Sequence, residues 1–86
     1  MKIEYSKKFV KELKKSTKKI REKFGNQLNI FLENPYSPTL HNHKLHGIFN
    51  DYRSINIDLD WRAIYRNTEE GPVFFVAVGT HSQLYK

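Results

Sequence analysis

Four histidines are the residues of this chain best suited to proton transfer near neutral pH. An ordinary imidazole has a pKa of about 6.5, so it can both accept and donate a proton. Three of them crowd into the segment HNHKLH as His41, His43 and His46. The fourth, His81, follows the apolar run 73–78, where a predicted strand leaves the sheet. Functional side chains often project from such a rigid base, which makes His81 a candidate functional residue.

A metal site is an alternative interpretation of the histidine-rich segment. The chain contains no cysteine, and no carboxylate lies close enough in sequence to complete a tetrahedral ligand set. We therefore interpret His41 and His46 as exposed loop residues, and we expect neither a metal ion nor a cofactor.

Several cationic, polar and aromatic side chains near these histidines are suited to binding RNA. Arginine binds phosphate through a planar fork, whereas lysine acts as a point charge. The cationic candidates are Lys44, Arg53, Arg62 and Arg66, and the polar residues between them are Asn56, Asp58 and Asp60. Trp61 and Tyr85 can stack on nucleobases. The alternatives are that Trp61 packs in the core and that Tyr85 packs against the sheet.

The apolar periodicity predicts a short strand and two helices in the first part of the chain. Residues 2–5 suggest a strand, and Ser6 is a suitable N-cap for the helix that follows. Apolar residues at helical spacing predict an amphipathic helix over 7–24. We expect Gly25-Asn26 to end it, and a shorter second helix around 28–32 to end before Asn34-Pro35.

From residue 44 onward the periodicity changes to two, which is typical of strands. We expect strands at 44–49, 52–59, 61–66 and 74–78, with Ile55, Ile57 and Leu59 on the core face of the second. Arg53 breaks this alternation, so we expect it at the edge of the strand with its stem packed. Counting the last three of these strands, the order is β-α-α-β-β-β, an α+β fold with an N-terminal α-hairpin on one face of a mostly antiparallel sheet. Its length of 86 residues predicts a single domain spanning 1–86.

The positive charge lies almost entirely in the N-terminal part. The net charge is +6, but residues 1–24 carry +7 and residues 25–86 carry −1. Such a field favours nucleic acid, an acidic protein or an anionic membrane surface, although a solvated lysine-rich helix face has the same composition. The absence of cysteine, of a secretory signal and of a long apolar stretch leads us to expect a cytoplasmic protein without a membrane partner.

Four motifs in the second half of the chain resemble those of RelE/ParE-superfamily toxins, and most closely the YafQ-like branch of bacterial type II toxin–antitoxin modules. The family pattern is His-x-Leu-x-Gly, Tyr-Arg, Asp-Trp with a following Ile-Tyr, and Gly-Thr-His-x-x-Leu-aromatic. The corresponding residues are His43 to Gly47, Tyr52-Arg53, Asp60-Trp61 with Ile64-Tyr65, and Gly79 to Tyr85. Any one motif is weak, but four in the correct order are fairly strong.

The resemblance implies an RelE/ParE-like toxin that cleaves mRNA on the ribosome and is neutralised by a cognate antitoxin. It also implies that operator DNA is contacted only through the antitoxin complex. His43, Asp60 and His81 match family catalytic residues, Trp61 matches a family site residue, and Tyr85 stands where the family often has phenylalanine. Asn56 departs from the family, which has a second histidine there. An asparagine cannot shuttle a proton at neutral pH, but it can hydrogen-bond a phosphate or ribose.

On this hypothesis the RNA 2′-hydroxyl attacks the adjacent phosphate, with His43 as base, His81 as acid, and Asp60 orienting a histidine or sharing the base role. Lys44, Arg53 and Arg62 would stabilise the charge on the phosphate, and Trp61 and Tyr85 would hold bases. Two other functions stay open. One is a ParE-like inhibitor of DNA gyrase without nuclease activity, and the other is a non-catalytic basic RNA-binding module.

Overall fold

Five strands form one sheet, with the first two helices packed on one of its faces, in a computed structural model that describes residues 1–47 and 50–85. The helices are α1 (Lys7–Lys15), α2 (Lys18–Glu33) and α3 (His81–Leu84), with a 3-10 turn at Pro38–Leu40. The strands are β1 (Ile3–Tyr5), β2 (His43–Lys44), β3 (Arg53–Asp58), β4 (Trp61–Asn67) and β5 (Val73–Thr80). The strand order is β1-β5-β4-β3-β2. β1 pairs parallel to β5, and all other neighbours are antiparallel.

The helix boundary lies nine residues before the predicted stop at Gly25-Asn26, so that prediction was wrong. Helix α1 ends at Lys15 with Ser16 as its C-cap, and Thr17 caps α2 because its hydroxyl accepts a hydrogen bond from the amide of Ile20 at 3.2 Å. Gly25 lies inside α2 with open space around it. A glycine there costs only about 1 kcal/mol, which the packed face of the helix offsets. The predicted N-cap at Ser6 and the end of α2 before Asn34 are confirmed.

The main core is a set of aromatic rings between the helices and the sheet. Phe75 on β5 is fully buried, and its ring lies 5.5 Å from Phe9, 5.6 Å from Phe24 and 5.7 Å from Phe31. Rings at these distances, tilted or edge to face, add favourable electrostatics to the burial of apolar area. The helices are thus fixed to β5, the strand that leads into His81.

A smaller apolar cluster lies apart from this main core. Leu45, Ile64 and Ala77 are its buried members. Tyr52, Val76, Leu84 and Tyr85 pack around them. We call these seven residues the second cluster. It joins the segment after β2 to β4, β5 and α3.

Three details of the second half differ from the sequence prediction. The strand predicted over 44–49 is only the pair His43–Lys44, while residues 48 and 49 lie outside the described residues. Leu59 was predicted to face the core, but it is 90% exposed. The reason is a register shift between Asn56 and Asp58, which ends the alternation before the β3–β4 turn. Within the described ranges, no helix is long and apolar enough to cross a membrane.

Candidate active site

A groove of about 320 Å³ brings together most of the predicted chemical groups. It is lined by His43, Lys44, Leu45, His46, Arg62, His81 and Tyr85. His43 and His81, which are 38 positions apart in the sequence, therefore share one groove with two cations. His46, which sequence reasoning assigned to an exposed loop, is exposed but belongs to the same groove. Its place in HNHKLH was the signal that could have included it.

The side chain of His43 has a defined tautomer in its neutral form. Its Nδ1 lies 2.9 Å from the carbonyl oxygen of His41. A carbonyl can only accept a hydrogen bond, so Nδ1 carries the proton and donates it. The lone pair of neutral His43 is therefore on Nε2, the position from which an imidazole can take a proton. His41 has φ +50°, a left-handed backbone conformation, just before this segment.

A hydrogen-bond network around Asn42 fixes the chain next to His43. The Asn42 amide donates to the carbonyl of Pro35 at 2.8 Å and to the hydroxyl of Tyr65 at 2.7 Å. Its oxygen accepts from Nε of Arg53 at 2.8 Å. The Arg53 guanidinium also lies 5.3 Å from the ring centre of Tyr36. Arg53 is thus held beside the groove rather than lining it, and burial raises the pKa of Tyr65 above its ordinary value.

Helix α3 places His81 through a set of local backbone contacts. Thr80 and Gln83 form a capping box. The backbone amide of Gln83 donates to the Thr80 hydroxyl at 3.3 Å, and the backbone amide of Thr80 donates to the side-chain oxygen of Gln83 at 2.8 Å. The amide of His81 donates to the carbonyl of Asp60 at 2.9 Å. The His81 and Tyr85 rings are 4.7 Å apart. His81 is therefore anchored to the β3–β4 turn on one side and to Tyr85 on the other.

The β3–β4 turn carries Asp60 and is braced by Arg62. Nη1 of Arg62 donates to the carbonyl of Leu59 at 2.7 Å and to that of Trp61 at 3.0 Å. Because these bonds use Nη1, the hydrogens on Nε and Nη2 are available for a phosphate. The carboxylate of Asp60 is exposed and has no hydrogen bond or ion pair among the residues that the structure describes. Asp60 contacts His81 through its backbone carbonyl.

Arg53, Asn56 and Trp61 are predicted substrate-binding residues that do not line the groove. Asn56 is half-buried and pairs in register with Arg62, and its carbonyl accepts a hydrogen bond from Gln27 at 2.9 Å. Trp61 packs against the main core and lines a different groove, next to α1. Trp61 is only partly buried, so it packs on the core while part of its side chain remains exposed in that second groove.

Asp58 ties α2 to the end of β3. Its carboxylate lies 3.5 Å from Nζ of Lys23 and 3.9 Å from Nζ of Lys19. Desolvation by itself would raise the pKa of Asp58. The hydrogen bond from the Leu59 amide and the two lysine charges outweigh that effect and hold the pKa below its ordinary value. Across residues 1–47 and 50–85, no three His, Cys, Asp or Glu side chains are arranged to hold a metal ion.

Comparison with known proteins bears on both the fold and the family. YafQ from E. coli is 27% identical with a TM-score of 0.82, and the match covers 98% of this chain and 97% of that one. The toxin in the E. coli DinJ–YafQ toxin–antitoxin complex is 27% identical with a TM-score of 0.79, covering 98% and 96%. A metal-bound toxin from Helicobacter pylori is 31% identical with a TM-score of 0.72, covering 99% of both chains. These matches confirm the predicted α+β, RelE/ParE-like fold.

A protein-family sequence model, or profile, that matches the full sequence identifies the family. The profile is described as a bacterial toxin of type II toxin–antitoxin system, YafQ, and it matches residues 1–86. A sequence search of curated proteins found no significant match. The profile and the solved structures agree on the same group of proteins and confirm the resemblance inferred from the four motifs. The chain belongs to the YafQ family of toxins of bacterial type II toxin–antitoxin systems.

Proposed function

We propose that this toxin is an endoribonuclease that cleaves mRNA on the translating ribosome and so inhibits translation. The observation that carries this proposal is the groove in which His43 and His81 lie together with Lys44 and Arg62. RNA cleavage by its own 2′-hydroxyl needs a base, an acid and positive charge around one phosphate. The groove offers all three types of group, and it needs no metal ion for them.

The proposed reaction begins at Nε2 of His43, the nitrogen that holds the lone pair of the neutral ring. This nitrogen removes the proton from the 2′-hydroxyl, whose oxygen attacks the adjacent phosphorus. The bond from phosphorus to the 5′-oxygen then breaks, and protonated His81 gives its proton to that leaving oxygen. The products are a 2′,3′-cyclic phosphate and a 5′-hydroxyl end. Asp60 assists by fixing the His81 backbone through its carbonyl oxygen.

The remaining predicted substrate residues fall into an inner and an outer group. Lys44 and Arg62 are the inner group, because they line the groove and can neutralise the charge on the phosphate. Tyr85 lies against His81, where it orients the imidazole and can contact a base. The outer group, which we propose contacts RNA further along the strand, is Arg53, Asn56 and Trp61.

The partners proposed for this toxin follow from its charge and from its relatives. The lysine-rich N-terminal helices would bind ribosomal RNA without sequence preference and with strong salt dependence. E. coli YafQ is found in a complex with DinJ, and we propose that this chain likewise binds a cognate antitoxin. Operator DNA would be contacted only through that complex. Action on ribosomes requires the cytoplasm, where we propose that the toxin acts without a cofactor.

The test is to express wild-type protein and the His81→Ala variant in bacteria and to map new mRNA 5′ ends at ribosome-occupied codons. The matched control is Ser82→Ala, which alters the exposed neighbour of His81 on the same helix. We expect new 5′ ends with the wild type and with Ser82→Ala, and none with His81→Ala. Growth arrest without new ends would refute the nuclease and point to another target such as gyrase. Equal cleavage by His81→Ala would refute the assigned acid.

A further inference from the structure

His46 is the groove residue for which neither the motifs nor the two proton-transfer steps provide a role. We propose that His46 binds the backbone phosphate of the RNA nucleotide next to the cleaved bond. This inference rests on the proposed nuclease function and extends its substrate site by one phosphate. The role is binding, so it is distinct from the roles of His43 and His81.

The backbone on both sides of His46 is held in place. Leu45, immediately before it, is buried in the second cluster, and its amide donates a hydrogen bond to the carbonyl of Tyr52 at 2.9 Å. Gly47, immediately after it, has φ +69°, a left-handed conformation that turns the chain. His46 is therefore presented from an anchored segment while its imidazole remains exposed.

The charges around His46 favour an anion. The groove is lined by two permanent cations, Lys44 and Arg62, and by no aspartate or glutamate among the described residues. The other titratable groups that line it are His43, His81 and Tyr85. The imidazole ring is not hydrogen-bonded to any residue that the structure describes, so both of its N–H groups can serve the ligand.

The geometry of RNA supplies the reason for a second phosphate site. Each nucleotide carries one phosphate, so a strand whose reacting phosphate lies between His43 and His81 places another one nearby. A strand held only at its reacting phosphate would be free to rotate about that contact. A second contact from the same β2-to-Gly47 segment that carries His43 would hold the strand in the groove more tightly without touching the reacting atoms.

The test measures binding of a fluorescein-labelled 2′-O-methyl RNA 12-mer, which cannot be cleaved because it lacks the attacking hydroxyl. Wild type and His46→Gln are compared at pH 5.5 and pH 8.5 over a series of salt concentrations. Each phosphate contact to single-stranded RNA contributes about 0.7 to the slope of log affinity against log salt. An ordinary histidine is mostly protonated at the lower pH and neutral at the higher one. The control is Lys2→Gln, which removes a cation next to β1, the sheet edge opposite β2.

We expect His46→Gln to lower the slope by about 0.7 at pH 5.5 and to leave it unchanged at pH 8.5. If the two proteins bind equally at 1 M salt, this difference in slope makes the variant bind about fivefold more weakly at 0.1 M salt. The effect of Lys2→Gln on the slope should not depend on pH. On ribosomes programmed with mRNA, His46→Gln should raise KM and leave kcat close to that of the wild type.

Other outcomes overturn the proposal in ways that can be told apart. If His46→Gln and wild type bind alike at both pH values while both cleave mRNA, the phosphate contact is refuted and the nuclease stands. If His46→Gln loses kcat rather than KM, His46 takes part in proton transfer instead. If wild type neither binds nor cleaves RNA, the proposed function fails and this inference fails with it.

Discussion

Replacing Gly79 by alanine tests whether the capping box is what positions His81. A Cβ atom at Gly79 would come within 2.9 Å of the Gln83 side-chain oxygen, which is too close for any real contact. That oxygen accepts the hydrogen bond from the Thr80 amide. The next neighbours are Cβ of Gln83 at 3.5 Å and a methyl group of Leu84 at 3.6 Å, which are ordinary contacts. The substitution should therefore displace one flexible side chain and break one capping bond.

Two effects of opposite sign set the size of the change in stability. Losing the hydrogen bond should cost about 0.5–1.5 kcal/mol, and toward the lower end because the site is exposed. Removing a glycine from the unfolded chain should stabilise the fold by about 0.4–1 kcal/mol, since Gly79 does not have a left-handed φ. The net free energy of unfolding should thus change little, while α3 frays and mRNA cleavage falls.

A double-mutant cycle with Gln83→Ala separates the two effects. In the Gln83→Ala background the oxygen that would clash is absent, so Gly79→Ala should stabilise the protein by about 0.4–1 kcal/mol. Urea denaturation gives the coupling free energy, which we expect to be about 0.5–1.5 kcal/mol. Ribosome-dependent cleavage by all four proteins gives the functional readout. Gly79→Ala should lower the cleavage rate in the wild-type background and leave it unchanged in the Gln83→Ala background.

A result of equal stability loss in both backgrounds would refute this reasoning, because it would mean that the new methyl group meets something other than Gln83. Full activity of Gly79→Ala would refute the second step, since it would show that His81 stays in place without the capping bond.

Three further predictions concern the elements that support the groove. Gly25→Ala should raise the free energy of unfolding by about 1 kcal/mol in urea denaturation, because the site is helical with open space; a decrease would mean that α2 needs a glycine there. Asn42→Ala should lower it by about 1–3 kcal/mol because the buried Tyr65 hydroxyl loses a partner, and a change below 0.5 kcal/mol would show that water replaces the amide. Because the pKa of Asp58 is lower in the folded protein than its unfolded value near 3.8, the ionised carboxylate stabilises the fold above pH 3.8, and this stability is lost as the pH falls through the folded pKa. Asp58→Asn should therefore reduce the dependence of the melting temperature on pH between pH 5 and 2. An unchanged pH dependence would contradict this prediction.

The helix prediction was wrong at Ser16-Thr17 for an identifiable reason. The apolar face continues from Leu13 to Ile20 at a helical spacing, so periodicity alone does not show that the chain breaks between them. Thr17, three residues before Ile20, was the available signal, since its hydroxyl caps the amide of Ile20. Gly25 was given too much weight, because a glycine on an exposed helix face costs little when the opposite face is buried.

Other parts of the site depend on contacts that a sequence pattern does not encode. The register shift after Asn56 exposes Leu59, and nothing in the alternation of residues 52–59 indicates it. Helix α3 is too short for apolar periodicity, yet Thr80-x-x-Gln83 matches a capping box and would have predicted it. The family resemblance led us to expect His81 beside His43, but no sequence pattern indicates the packing around Leu45 that joins the two segments in one groove.

The two sides of the groove, formed by β2 and α3, depend on the second cluster more than on the main core. Strand β2 has two residues and α3 has four, so neither has enough hydrogen bonds of its own to stay folded. What joins them is Leu45 on one side and Leu84 with Tyr85 on the other, packed on Ile64 and Ala77. A cluster this small opens at a lower free energy than the main core. Local loss of the groove should therefore precede global unfolding, and the distance between His43 and His81 depends on Leu45, Ile64 and Ala77, which take no part in the proposed proton transfers.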